Sequence, residues 1–144
     1  MNERQHLYID GSWVEPNGED TIEVVNPATE EVIGSVPVGS ESDANAAVEA
    51  ARAAFIGWSE STIDERSDYL NRLSSALKER GEEMAELITS EVGTPIEYSR
   101  MAMVGTPRVV SRSYAKILDG FSWEEEARNS IVVKEAIGVV AMIT

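Results

Sequence analysis

Few side chains in this sequence can act as a nucleophile, a metal ligand or a general base. The 144 residues include no cysteine and a single histidine, His6. The lack of cysteine excludes a thiolate nucleophile, cysteine-ligated zinc and iron–sulfur clusters within these residues. A Ser-His-Asp triad would depend on His6, which lies close to the N-terminus, where chains are generally poorly ordered. Nucleophilic hydrolase chemistry is therefore not expected.

Acidic residues dominate the charge of the chain. There are 26 Asp and Glu residues against 12 Lys and Arg residues, so the formal net charge is −14. Such a chain repels nucleic acids and anionic membranes. Trp13, Trp58 and Trp123 are not interleaved with basic residues, so they do not predict a base-stacking surface. Without a long apolar run or a leader-like N-terminus, a soluble cytoplasmic protein is expected.

Short strands and turns are predicted for the first 37 residues. Asp10-Gly11 suits the positive φ values of a type I′ turn between two β-prone segments. Asn26-Pro27 predicts a second turn, because Asn bonds its own backbone and Pro presets φ. The predicted strands cover residues 6–9, 12–14, 21–25 and 31–36.

Three helices should follow. Capping boxes at Ser40–Asp43 and Thr62–Glu65 predict helices over about 41–58 and 62–93, with Gly93 as the C-terminal glycine. Thr94-Pro95 predicts a third helical start, with Thr94 as the cap. Pro107 predicts a kink or break in that helix near residue 105.

The last segments differ in character. Residues 121–129, with Glu124–Glu126, are predicted to be a solvated connection leading to a strand over Ser130–Glu135. Gly138–Thr144 has no charge and no alternation, which is typical of a strand covered on both faces in a parallel sheet. Such a strand needs neighbours, and few candidate strands exist, so we expect the chain to stop at the first strand of such a sheet. Alternatively, Gly138–Thr144 pairs with the N-terminal hairpins in a small self-contained fold.

Six segments occur in a characteristic order and spacing: Ile9–Trp13, Asn26–Gly34, Ala53–Trp58, Glu65–Leu70, Ser90–Pro95 and Lys134–Val140. Together they resemble the N-terminal part of aldehyde dehydrogenases. Thr94 stands where the family commonly has Lys, and Ala136 where it has Pro. The resemblance implies an α/β fold, in which β-hairpins precede long helices and the first strand of a Rossmann-like sheet. It assigns 1–120 to the cofactor-binding domain, 121–137 to the start of an oligomerisation arm and 138–144 to that first strand.

The resemblance also implies an activity. The full-length protein would be a homo-oligomer that oxidises a small-molecule aldehyde to a carboxylic acid with NAD or NADP. The family's cysteine nucleophile, glutamate base and Pro-Trp-Asn segment are not among these residues, so the 144 residues alone are predicted to be inactive. An alternative from another class is a non-catalytic helical scaffold or partner module derived from such an enzyme.

Two groups of residues are implied as site residues by the same resemblance. Ile143 and Thr144 lie where family members place cofactor contacts, although both are also explained as a buried strand end. The carbonyl groups of Val24 and Val25, together with Glu91, correspond to a monovalent-cation site of some members. Oxygen-only ligation suits a hard cation. The alternative is that Glu91 is an ordinary exposed acid near a helix C-terminus.

Overall fold

The structure is a computed structural model that describes residues 2–3 and 5–143, with side chains described for residues 5–143. Its first part contains five strands: β1 (Asn2–Glu3), β2 (Leu7–Ile9), β3 (Ser12–Val14), β4 (Thr21–Val25) and β5 (Val32–Pro37). β2 and β3 form an antiparallel hairpin. Its turn residues Asp10 and Gly11 have φ values of 52° and 74°, which confirms the predicted turn.

The other three strands form a small sheet in the order β1-β5-β4. β4 and β5 pair antiparallel, with a register shift between Val24 and Val25, and β1 pairs parallel with β5. In the turn between β4 and β5, the side-chain oxygen of Asn26 accepts hydrogen bonds from the N–H groups of Ala28 (2.9 Å) and Thr29 (3.3 Å). The predicted Asn-Pro turn is thereby confirmed.

Helical structure follows from residue 41. Both predicted capping boxes are present, with Ser40 and Asp43 at the first helix and Thr62 and Glu65 at the second. Each pair satisfies two backbone N–H groups that the first helical turn leaves free. The helical elements are α1 (Glu41–Ser59), α2 (Ile63–Glu79), α3 (Gly81–Val92), α4 (Ile96–Tyr98), a π-helix (Ser99–Val104) and α5 (Gly105–Leu118).

The second predicted helix is interrupted, and its prediction as one continuous element is wrong. Arg80 departs from helical geometry, with φ −102° and ψ 14°, and separates α2 from α3. The next residue, Gly81, has a low helix propensity. Val104 of the π-helix packs against this position, where a Cβ would lie 3.6 Å from its Cγ1, an ordinary van der Waals contact.

The third helical segment begins at Ile96, one residue later than a helix capped by Thr94 would begin. Pro95 holds the N-cap position without a side-chain hydrogen bond, so the prediction that Thr94 caps this helix is wrong. The hydroxyl of Thr94 instead hydrogen bonds Ser99, at 2.7 Å. The irregularity predicted near residue 105 is confirmed as a π-helix, which ends where the Gly105 N–H donates to the carbonyl of Arg100. Pro107, which has no N–H group, follows directly.

The C-terminal part contains a second hairpin. β6 (Glu124–Ala127) pairs antiparallel with β7 (Ser130–Val133), so the connection predicted over 121–129 contains a strand. The three glutamates are exposed, as predicted. Residues 134–143 form neither helix nor strand, so the strand predicted over Gly138–Thr144 is not formed in the described part of that range. A strand exists only where a neighbour pairs with its backbone, and no strand pairs with these residues.

The helices pack through a small apolar core. α5 lies along α2, where the hydroxyls of Ser67 and Ser74 donate to the carbonyls of Ala115 and Arg108, each at 3.0 Å. α3 packs against the π-helix. Among the described residues, the buried apolar side chains are Ala85, Val104 and Ala115.

Candidate functional site

The loop after the first hairpin is tied to the start of α1 by a carboxylate. Asp43 is 3% exposed, and it accepts hydrogen bonds from the side-chain amide of Asn17 (2.6 Å) and from the backbone N–H of Ser40 (2.8 Å). Hydrogen bonds from Ser40, supported by those from Asn17, lower the pKa of Asp43 to about 2. Asp43 is therefore charged at neutral pH, and its charge fixes the N-terminus of α1.

A cavity of about 660 Å³ lies between α1 and the last described residues. Its walls are mainly small apolar side chains, which is the surface a helix presents to a covering strand. Gly138, with φ 114°, turns the chain into this position. The lining residues are Ala44, Ala47, Val48, Ala51, Arg52, Phe55, Gly138, Val139, Val140 and Ala141.

Of the two predicted cofactor residues, the structure describes Ile143, which does not line this cavity. Ile143 is 96% exposed, so it is neither a buried strand end nor enclosed by a site in this chain. Thr144 lies outside the described residues. Residues 138–141 line this cavity together with α1, and the contacts of Ile143 with a cofactor remain a prediction.

The predicted cation ligands lie on two elements that touch. Gly93, in the left-handed conformation with φ 79°, packs so closely on the Asn-Pro turn that a Cβ would stand 2.7 Å from Pro27 Cγ. Glu91 lies at the end of α3, two residues before Gly93, and Val24 and Val25 lie at the end of β4, just before the Asn-Pro turn. Glu91 is exposed, and its carboxylate forms no hydrogen bond or ion pair with another described residue. Within the described ranges, no group of three or more His, Asp or Glu side chains could hold a metal ion.

Each of the three tryptophans contacts another aromatic ring edge to face. Trp13 pairs with Tyr8, Trp58 with Tyr69, and Trp123 with Phe121, at centroid distances of 5.0, 5.5 and 4.8 Å. The guanidinium of Arg66 also lies 5.3 Å from the Trp123 ring centroid, and its Nη2 donates to the Ser59 carbonyl at 3.0 Å. The first pair therefore lies within the β2–β3 hairpin and the second joins α1 to α2, while Arg66 of α2 holds Trp123 next to the C-terminal hairpin.

One polar cluster was not anticipated from the sequence. The hydroxyl of Ser99 is fully buried and hydrogen bonds those of Thr89 (2.9 Å) and Thr94 (2.7 Å). No base adjoins it: His6, the single histidine, is paired with Glu15 at 2.9 Å on the first hairpin. Because hydroxyls without a base are poor nucleophiles, the cluster links α3 to the π-helix and provides no catalytic group.

Among the helices in the described part of the chain, none is both long enough and apolar enough to span a bilayer.

Comparison with known proteins gives a consistent result. The model of the "Aldehyde dehydrogenase family" matches residues 13–144. A Staphylococcus aureus protein named "Putative aldehyde dehydrogenase" is 39% identical over 146 aligned residues, which cover all of this chain and 30% of that protein. The chain thus spans about a third of the length of such relatives.

Solved structures give the same result. The crystal structure of an aldehyde dehydrogenase from Bartonella henselae matches with a TM-score of 0.85 at 29% identity, over 90% of this chain and 28% of that one. A mutant of aldehyde dehydrogenase C from Pseudomonas syringae, in complex with NAD⁺ and octanal, matches with a TM-score of 0.82 at 38% identity. That match covers 85% of this chain and 25% of the other.

Proposed function

Since this chain belongs to the aldehyde dehydrogenase family, we propose that it forms part of the cofactor-binding half of an enzyme that oxidises an aldehyde to a carboxylic acid. The observation that carries this proposal is the family match, which extends over nearly the whole chain. The Pseudomonas syringae relative binds NAD⁺ and octanal, which supports a nicotinamide cofactor and an aldehyde substrate here. We propose NAD as the cofactor and leave NADP as the alternative.

These 144 residues alone are proposed to lack the activity. Bound NAD would accept a hydride from the substrate carbon, but that transfer requires a nucleophile that first adds to the aldehyde. In this family the nucleophile is a cysteine thiolate, and the sequence contains no cysteine. The role of this chain is therefore to position the cofactor.

The residues present fit a cofactor-binding sheet that is built on α1. The small apolar face of α1 and residues 138–141 line one cavity, and this combination of helix and apolar segment matches one layer of an open α/β sheet. We propose that residues 138–144 form the first strand of that sheet when neighbouring strands are present. Ile143 and Thr144 would then lie at the carboxyl end of the strand, where such sheets bind ligands.

We further propose the cation site at the Asn-Pro turn. The strand pairing passes from Val24–Gly34 to Val25–Val32 and skips Ile33 on β5, so the ladder is irregular next to this turn. One unpaired carboxylate, Glu91, together with backbone oxygens, balances the charge of a monovalent cation better than that of a divalent one. Sodium or potassium would stabilise the contact between α3 and the turn.

Residues 121–137 are proposed as the start of an oligomerisation arm. Both strands of the β6–β7 hairpin are exposed along their whole length, and Ile131 and Val133 are 65% and 53% exposed. Such a hairpin has unpaired outer edges that can pair with another strand. A homo-oligomer is the assembly that we propose for the enzyme.

The activity is tested with a chimera in which this chain replaces the matching segment of the Staphylococcus aureus relative. With an aldehyde panel and NAD, the chimera is expected to form reduced nicotinamide, and the 144-residue chain none. Turnover by the chain alone would contradict the argument from cysteine. A folded, oligomeric chimera without turnover would instead favour a non-catalytic scaffold.

The two proposed sites are tested separately. In the chimera, Ile143→Ala should raise the KM for NAD several-fold, whereas Ile137→Ala should not. Sodium or potassium should raise the Tm by a few degrees over tetramethylammonium at equal ionic strength. Glu91→Gln should abolish this rise and Glu86→Gln, on the same helix, should preserve it; equal responses would exclude the cation site.

A further inference from the structure

A groove between α2 and α5 concentrates positive charge in an otherwise acidic chain. It encloses about 800 Å³. Four of its nine lining residues are cationic and none is acidic, although acids outnumber bases by 26 to 12 in the sequence. The lining residues are Asn71, Ser74, Ser75, Lys78, Arg108, Val109, Arg112, Ser113 and Lys116.

The four cations lie close together and are not neutralised. Arg108, Arg112 and Lys116 are spaced by four residues on α5, so they share one helix face and span roughly 12 Å along it. Lys78 faces them from α2. None of the four forms an ion pair with another described residue, whereas Arg72, Arg80, Arg100 and Lys134 all do.

Hydrogen-bond donors complete the lining. The Ser74 and Ser113 hydroxyls donate to backbone carbonyls of α5, so their protons are already used. The side chains of Asn71 and Ser75 make no hydrogen bond with the described part of the chain, so their donors are available. At one end the groove adjoins Glu82, whose carboxylate is already paired with Arg100.

From this arrangement we propose that the groove binds a small organic phosphate that carries two or more phosphoryl groups. Arginine binds phosphate oxygens with paired N–H groups, and the row of cations on α5 matches a short chain of phosphates in length. A peptide would need apolar anchors, and Val109 is the one apolar residue in the lining. A long nucleic acid would be repelled by the net charge of −14.

The test is calorimetric titration of the chimera described under Proposed function, which carries this chain within a complete enzyme, with inorganic pyrophosphate at low salt. Saturable binding with one site is expected, and inorganic phosphate should bind more weakly. The double variant Arg108→Ala, Arg112→Ala should weaken pyrophosphate binding at least tenfold. As a matched control, Arg72→Ala, Arg80→Ala removes the same charge outside the groove lining, and this variant should bind pyrophosphate like the unmodified chimera.

Because the first double variant could fail to fold, the exposed residue Lys116 provides a second test. Lys116→Ala should weaken binding several-fold with an unchanged circular dichroism spectrum. Absence of saturable binding, or equal weakening by both double variants, would overturn the proposal. Tighter binding of hexaglutamate than of pyrophosphate would also overturn it, in favour of an acidic peptide partner.

Discussion

At the scale of single residues, Asp43 has the best-defined electrostatic role. Its pKa falls from 3.8 to about 2 because Ser40 and Asn17 donate hydrogen bonds to the charged carboxylate. A carboxylate with a lowered folded-state pKa stabilises the fold above its unfolded pKa, and this contribution disappears as the pH falls through the folded value. The relevant window therefore lies between about pH 4 and about pH 2.

The lowered pKa of Asp43 predicts how the stability of a variant depends on pH. Asp43→Asn should lower the Tm by several degrees at pH 7, and the difference from the unmodified chain should shrink to nearly nothing by about pH 2. Thermal unfolding followed by circular dichroism across this range measures it. Glu41→Gln, which removes an exposed acid from the same helical turn, should change the Tm little at any pH. A pH-independent Tm difference for Asp43→Asn would contradict the electrostatic explanation.

Gly93 gives a second prediction at this scale. Alanine at this position would have to adopt φ 79° with its Cβ 2.7 Å from Pro27 Cγ. Gly93→Ala should therefore lower the free energy of unfolding by about 1–3 kcal/mol. Gly57→Ala is the matched control, because nothing lies within 4 Å of a Cβ there and α1 should gain about 0.5–1 kcal/mol. Chemical denaturation measures both free energies of unfolding. If Gly93→Ala and Gly57→Ala changed this free energy in the same direction, the explanation from the φ value and the Pro27 contact would be wrong.

At the scale of elements, the buried hydroxyl cluster joins α3 to the π-helix. Ser99→Ala should cost about 1–2 kcal/mol of unfolding free energy, because the hydroxyls of Thr89 and Thr94 would lose a buried partner. In a double-mutant cycle with Thr94→Val, the second substitution should cost less than it does alone. Ser113→Ala, on exposed α5 surface, should change stability by less than about 0.5 kcal/mol. Additive effects of the first pair would exclude a coupled cluster.

Elements that depend on local signals could be predicted, and those that depend on distant contacts could not. The Asp10-Gly11 turn and the two capping boxes are complete within a few residues, and all three are confirmed. Thr94 has the same local signal as a cap, yet its hydroxyl bonds the buried Ser99, a partner that appears only after folding. The four-residue spacing of Arg108, Arg112 and Lys116 is visible in the sequence, but the groove needs α2 opposite it.

The candidate site, too, could be predicted from the sequence only where it depends on local signals. Gly138–Ala141 could be predicted as an apolar segment from composition alone, and it lines a cavity with α1. Its pairing could not be settled, because a strand is defined by neighbours and no described strand pairs with it. The predicted role of Ile143 depends on those neighbours as well.

At the scale of the whole molecule, the chain exposes far more surface than a compact monomer. Its accessible area is 11282 Å², whereas a 15.7 kDa compact protein has roughly 7,300 Å². Many large apolar side chains contribute to the excess, including Tyr114 and Ile117 on α5, which are 58% and 54% exposed. Apolar surface of this extent is normally covered by other protein.

We therefore expect the isolated 144-residue chain to associate and to bind apolar dyes. Light scattering after size exclusion should show species larger than a monomer, and anilinonaphthalene sulfonate fluorescence should increase in the presence of the chain. The chimera described above should bind much less dye per residue, because the remaining domains would cover these faces. A monodisperse monomer that unfolds cooperatively without dye binding would contradict this expectation.

The last described residues allow a finer version of this prediction. Met142 and Ile143 are 90% and 96% exposed, so they contribute apolar surface and almost no packing. Met142→Ser, Ile143→Ser should reduce dye binding and association while leaving the Tm of the chain within about 1 °C, because surface substitutions away from packed groups are nearly neutral. Phe55→Ser, in the cavity beside α1, should lower the Tm instead. If the terminal pair lowered the Tm as much as Phe55→Ser, the segment would be packed in the isolated chain and would not need neighbouring strands to bury it.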